Sequence, residues 1–161
     1  MIQRIQSVFM VLSIVALIAA SFTVYWVKSN NETEEAVNLY PREMVAIKMV
    51  DGEQKEMATA GNIHLFILPL LTAGVLIFSL FQFKNRLRQM QLGAFASILM
   101  TLTMILTAYR STQMDELIET TTYEFPAFGF FALVAAMLFN ISSNRFIRKD
   151  EKLVKSMDRI R

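Results

Sequence analysis

Four stretches of the chain carry no charged residue: Ile5 to Val27, Met57 to Phe83, Gln89 to Tyr109 and Phe125 to Asn144. A helix rises 1.5 Å per residue, so crossing a hydrocarbon layer about 30 Å thick takes roughly 20 mostly apolar residues. Each stretch is long enough. None shows the ten-residue alternation of polarity that marks the strands of a transmembrane barrel. Lipid offers the backbone no hydrogen-bond partner, so such stretches are expected to be helices. The pattern predicts spans at 6–27, 62–83, 90–109 and 126–144, loops at 28–61, 84–89 and 110–125, and a tail at 145–161. The expected fold class is an all-α membrane protein. It is an antiparallel four-helix transmembrane bundle with a small extracytoplasmic loop structure and a C-terminal amphipathic helix.

The loop at 28–61 is the only connection long enough for structure of its own. It opens on the polar run Ser29 to Glu35, read as solvated. Val45 to Val50 then leads into Asp51-Gly52, a dipeptide that favours a two-residue hairpin turn, with a returning strand over 53–58. The simple register sets Lys48 opposite Lys55, a like-charge pair that weakens the hairpin. Asn62 is the expected N-cap of the second span and Pro126 suits the first turn of the fourth. Pro69 lies well inside the second span and is expected to bend it. Phe22, Tyr25 and Trp26, and likewise Phe81, Phe83, Tyr109, Tyr123 and Phe125, fall at span ends, where aromatic rings prefer the headgroup level.

Composition agrees with a membrane chain. Of 161 residues, 54% are hydrophobic and 19% charged, against roughly 25% charged in soluble domains. With no Cys, disulfide frameworks, thiolate chemistry and Cys-ligated metals are excluded. A net charge of +2 does not point to nucleic acid. The division of charge says more. With both termini and the second loop on one side, that side holds 11 of the 16 basic residues and the other side five. The positive-inside rule then places both termini in the cytoplasm. The N-terminal stretch has a signal-peptide look, with Arg4 ahead of an apolar run and small residues at Ala19, Ala20 and Ser21. That run continues through Tyr25 and Trp26, beyond a usual h-region, so it is read as a retained span.

Chemistry is sparse. His64 is the only histidine and has no companion ligands, so it reads as an interfacial polar residue rather than a haem, metal or proton-relay group. No Asp, Glu, Lys or Arg falls inside a span, which argues against pumps and proton-coupled exporters. No Ser/His/Asp set, phosphate loop or metal-ligand cluster stands out, so no catalytic, cofactor or metal residues are assigned and no enzyme is expected. Asn140 is the most polar residue inside a span and could bond across helices. Gly93, Ser97 and Thr101, four apart, align small side chains on one helix face, as do Ala132 with Ala136 and Ala16 with Ala20. This suits packing inside the bundle better than homo-oligomer contact. Thr103 and Thr107 are expected to bond back to helix carbonyls, and the 11 Met residues to serve as adaptable packing. The sequons Asn31-Glu32-Thr33 and Asn140-Ile141-Ser142 matter only in a eukaryotic secretory setting.

The tail reads as a basic amphipathic helix on the membrane face. At 100° per residue, Phe146, Ile147, Leu153, Val154, Met157 and Ile160 gather within an arc of about 140°, and the basic residues apart from Arg161 occupy the opposite side; the alternative is a solvated extension of the fourth span that only fixes orientation. Its stripe, Leu153 and Met157 included, would be covered by membrane or protein, and its bases would meet anionic lipid. Asp150 interrupts the stripe, and an unpaired carboxylate there is costly. Arg86 or Arg88 of the second loop is the expected partner.

The opening Met1-Ile2-Gln3-Arg4-Ile5-Gln6 and the ending from Ile147 to Arg161 resemble a bacterial family of short four-span membrane proteins of unknown function. The resemblance runs the length of the chain. It implies an inner-membrane location and carries over no site residues. The expected role is an accessory or structural subunit of a membrane complex, held by the lipid bilayer and by a protein partner or a second copy. An oligomeric channel or small transporter for a neutral solute is the alternative, with Thr101, Thr103, Thr107 and Asn140 as the only polar path. A sensor would rest on the outer loop alone.

Overall fold

The computed structural model describes residues 2–158 apart from 31–32, 51–52, 84 and 118–122. Four helices carry the charge-free stretches: α1 (Ile2–Ala20), α2 (Ile63–Phe81), α3 (Arg86–Gln113) and α4 (Phe128–Asp158). Each packs on its neighbours in sequence, and α4 closes the ring on α1. α1 lies along α4, with Phe9 stacked on Phe146 at 5.4 Å between ring centroids. The start of α1, the end of α4 and the α2–α3 turn therefore share one end, here called the basic end.

The other end is not a loop but a sheet, and this overturns the all-α expectation. Strands β1 (Trp26–Asn30), β2 (Glu35–Leu39), β3 (Glu43–Val50), β4 (Glu53–Gly61) and β5 (Tyr123–Pro126) form one antiparallel sheet in the order β4-β3-β2-β1-β5. The fold is mixed α and β. The β3–β4 hairpin has the anticipated register, with Lys48 facing Lys55, and the Asp51-Gly52 turn lies outside the described residues. β2 resolves the like-charge problem. Glu35 stands opposite Lys48 on the other side and accepts from its Nζ at 2.8 Å. That hydrogen bond, from an ammonium, holds the Glu35 carboxyl below its ordinary range. The run from Ser29 to Glu35, read as solvated, is instead the connection of a second hairpin. Glu34 takes a left-handed φ of 53° there, and Asn30 Oδ1 accepts from the Thr33 N–H.

Three further corrections concern the ends of the helices. The first span was placed at 6–27, but α1 ends at Ala20. Just past it the Ser21 and Thr23 hydroxyls donate back to the Leu17 and Ala19 carbonyls. The β-prone Tyr25, Trp26 and Val27 then enter the sheet. α2, α3 and α4 are long and apolar enough to cross a membrane, and the apolar stretch Ile5–Ala20 is shorter. Pro126 ends β5 rather than opening a helix. As a residue of an edge strand it needs no N–H for a further ladder. Asn62 makes no side-chain cap. The working cap is Asn85, whose Oδ1 accepts from the Arg88 N–H at 3.2 Å.

The sheet's buried face carries Val37, Leu39, Met44 and Ala46. They join one core with Met114, which lies just past α3, and with the bundle interior. Tyr25 is fully buried where sheet and bundle meet, and its hydroxyl donates to the Leu65 carbonyl. Burial pushes its phenol pKa up.

Candidate functional site: a polar seam through the bundle

The bundle is apolar on its outside and mixed within, where Met10, Leu17, Leu76, Met100 and Leu133 share the interior with polar side chains. Ser13, Thr72, Ser79, Thr103, Thr107, Asn140 and Ser143 are buried. Val8, Val15, Ile67, Phe78, Ile98 and Leu138 are exposed. In water such an exterior would drive association, whereas in lipid it costs nothing and the hydrogen bonds inside gain value.

The buried polar groups join adjacent helices toward the basic end. Gly93 leaves room for α4 to approach α3, and the Asn144 amide fills the place a Cβ would take, its Nδ2 2.6 Å from that position. Asn140 Nδ2 donates to the Gly93 carbonyl at 2.8 Å and to Ser97 Oγ at 2.9 Å, and Ser97 Oγ donates to the same carbonyl. The small residues at four-residue spacing therefore serve an asparagine lock within the chain. Ser79 Oγ donates to the Gln89 carbonyl and links α2 to α3. Ser143 Oγ donates to the Gln6 carbonyl at 3.0 Å, and Ser13 Oγ to the Ala136 carbonyl at 2.8 Å, linking α4 and α1. Sequence reading missed Gln6, Ser13, Gln89 and Ser143, since a lone neutral side chain in an apolar run gives no sign of facing inward.

At the basic end Arg86 Nη1 lies 3.0 Å from Asp150 Oδ2, with both side chains mostly buried. The contact is an ion pair without hydrogen-bond alignment, because neither atom has a hydrogen-bond partner. Of the two arginines considered for Asp150, Arg86 is the neighbour. Arg88 is exposed and borders a groove with Phe78, Gln82 and Phe95. The tail is no separate surface helix: α4 runs unbroken from Phe128 to Asp158. Ile147 is buried within the chain, and Leu153 is 46% exposed. A 31-residue helix simply outruns its shorter neighbour α1. The Met157 side chain lies outside the described residues.

A second cluster, at the sheet end, was not anticipated. Lys28 of β1 is buried and its Nζ lies 2.7 Å from Asp115 Oδ1 and 3.4 Å from Glu124 Oε1. Trp26 Nε1 also donates to Glu124 Oε1. The cluster clamps the end of α3 and β5 onto β1. His64 is the second residue of α2 and half-buried. Thr101 is exposed, while Thr103 and Thr107 are buried and donate to the Leu99 and Thr103 carbonyls of their own helix.

The family described as Domain of unknown function (DUF4293) matches residues 2–160. No curated protein matches the chain.

Proposed function

The chain belongs to the DUF4293 family, and from that membership and the geometry above we propose a non-enzymatic, multi-pass protein of a bacterial inner membrane that serves as an accessory or structural subunit of a membrane complex. The apolar exterior of the bundle carries the reading. Apolar side chains face outward along all four helices, and inward Ser13, Asn140 and Ser143 donate to helix carbonyls of the same chain, while Gln6 Oε1, Gln89 Oε1 and Asn140 Oδ1 are buried without a hydrogen-bond partner. Such bonds knit the helices together, which supports a structural role over a chemical one. A neutral-solute channel is less well supported. Of its four lining candidates Thr101 faces out, and Thr103, Thr107 and Asn140 have their donors engaged.

The basic end faces the cytoplasm in this reading, with the sheet outside, because Lys and Arg are retained on the cytoplasmic side. Fused at Asp51, a reporter active only outside the cytoplasm is expected to work, and fused at Arg86 to be silent. Activity at Arg86 overturns the orientation. Extraction of the tagged full chain in a gentle detergent is expected to bring other membrane proteins with it. Recovery of this chain alone at monomer mass overturns the subunit role.

A further inference from the structure

We propose that the groove between α3 and α4 at the basic end is a binding site for one anionic phospholipid. The proposal rests on the membrane reading above. The groove encloses about 410 Å³. Its wall on α3 is Ala94, Ser97 and Ile98, and its wall on α4 is Ile141, Asn144, Arg145 and Arg148. Polarity is ordered along it: two guanidinium groups and an amide lie at the basic end, and apolar side chains follow. Arg145 and Arg148, three apart, project from one helix face. Both are exposed, and among the described residues neither has a carboxylate within ion-pair distance. Asp150, the acid closest in sequence, is taken by Arg86. Two planar, weakly hydrated cations side by side match the oxygens of a phosphodiester.

The groove does not stop at its apolar wall. Ser97 and Ile98 also line a trough of about 350 Å³ that continues along α3 past Thr101 and Leu102 to Ile105. From Ala94 to Ile105 a helix rises about 16 Å, roughly half of a 30 Å hydrocarbon layer. The charged mouth and apolar trough thus have the order and length of one headgroup and an acyl chain in one leaflet. A partner's helix would fill the trough but leave the two arginines without counter-charge. The charge selects a lipid with a net negative headgroup over a zwitterionic one.

The test uses the purified full chain, titrated with phosphatidylglycerol or phosphatidylcholine, with bound lipids counted by native mass spectrometry. One saturable phosphatidylglycerol per chain is expected, at least about tenfold preferred over phosphatidylcholine. Arg145→Gln with Arg148→Gln is expected to remove that preference. Lys149→Gln with Lys152→Gln, the same change in charge away from the groove, is expected to shift it by less than about threefold. Ile98→Trp fills the trough at an exposed position without changing charge, and is expected to weaken retention as well. Equal losses in the two double variants, no effect of Ile98→Trp, or no lipid preference in the parent chain each overturn the site. Carbonate washing of the source membranes separates the two levels. A chain that stays in the membrane yet shows no preference sinks the site alone, and a chain that washes off sinks the membrane reading with it.

Discussion

Replacing Asp115 and Glu124 together by Ala is expected to destabilise the sheet end by about 3 kcal/mol, near the lower edge of the 3–5 kcal/mol found when a buried ion pair loses one partner. The Lys28 side chain is only 4% exposed, whereas Asp115 and Glu124 are 56% and 43% exposed. The pairing is therefore lopsided. The ammonium has been taken out of water and depends on its acids, while the acids remain half hydrated. Removing the acids strands the cation, although water entering from their side recovers part of the cost. Removing the cation instead, by Lys28→Met, leaves two solvated carboxylates and is expected to cost less than about 1 kcal/mol. The chain has no Cys, so a single thiol can report on this end. With Ala46→Cys as background, at a buried β3 position, local opening sets the labelling rate. The double variant is expected to label about a hundredfold faster and Lys28→Met less than about tenfold faster. Similar rates for the two would show that the pairing itself, and not the penalty of a stranded buried cation, sets the stability of the clamp.

That cluster also marks the limit of what the sequence made legible. Long apolar runs declared α2, α3 and α4, because crossing lipid leaves the backbone few options. The β3–β4 hairpin was legible because its signal is local: a turn dipeptide between two alternating runs. The rest of the sheet is not local. β1 pairs with β5, nearly a hundred residues away, and Lys28 meets Asp115 only once α3 has crossed the bundle and returned the chain to the sheet. Segments such as Tyr25 to Val27 are equally apolar as helix or strand. Pairing with β2 and with the distant β5 decides between them. In the seam, the four-residue spacing of Gly93 and Ser97 was visible, but which asparagine it receives depends on how far α4 slides along α3. Asp150 was the exception among long-range contacts. A carboxylate in an apolar stripe demands a cation, and few were near.

At the opposite edge of the same junction, Gly129→Ala is expected to reverse the ordinary helix preference. In the middle of a helix Ala is favoured over Gly by about 1 kcal/mol. Here the helix start is pressed against backbone. A Cβ on Gly129 would lie 2.7 Å from the Val24 carbonyl oxygen, 3.0 Å from that of Thr23 and 2.6 Å from the Tyr25 ring. The Gly129 N–H donates to the same Val24 carbonyl at 2.8 Å, so α4 cannot back away without breaking the bond that fixes its entry. Nor can Tyr25 turn aside, being fully buried with its hydroxyl on Leu65. Overpacking of this kind costs about 1–3 kcal/mol, and the strain falls on the one place where β1, β5 and α4 are joined. Gly74 supplies the control. It lies inside α2, is exposed, and has nothing within 4 Å of an added Cβ. Gly74→Ala is expected to be neutral or stabilising by up to about 1 kcal/mol. In detergent the thermal midpoint should therefore fall by several degrees for Gly129→Ala and hold or rise for Gly74→Ala. If both variants rise together, intrinsic propensity outweighs contact at residue 129, and the junction is looser than its distances indicate.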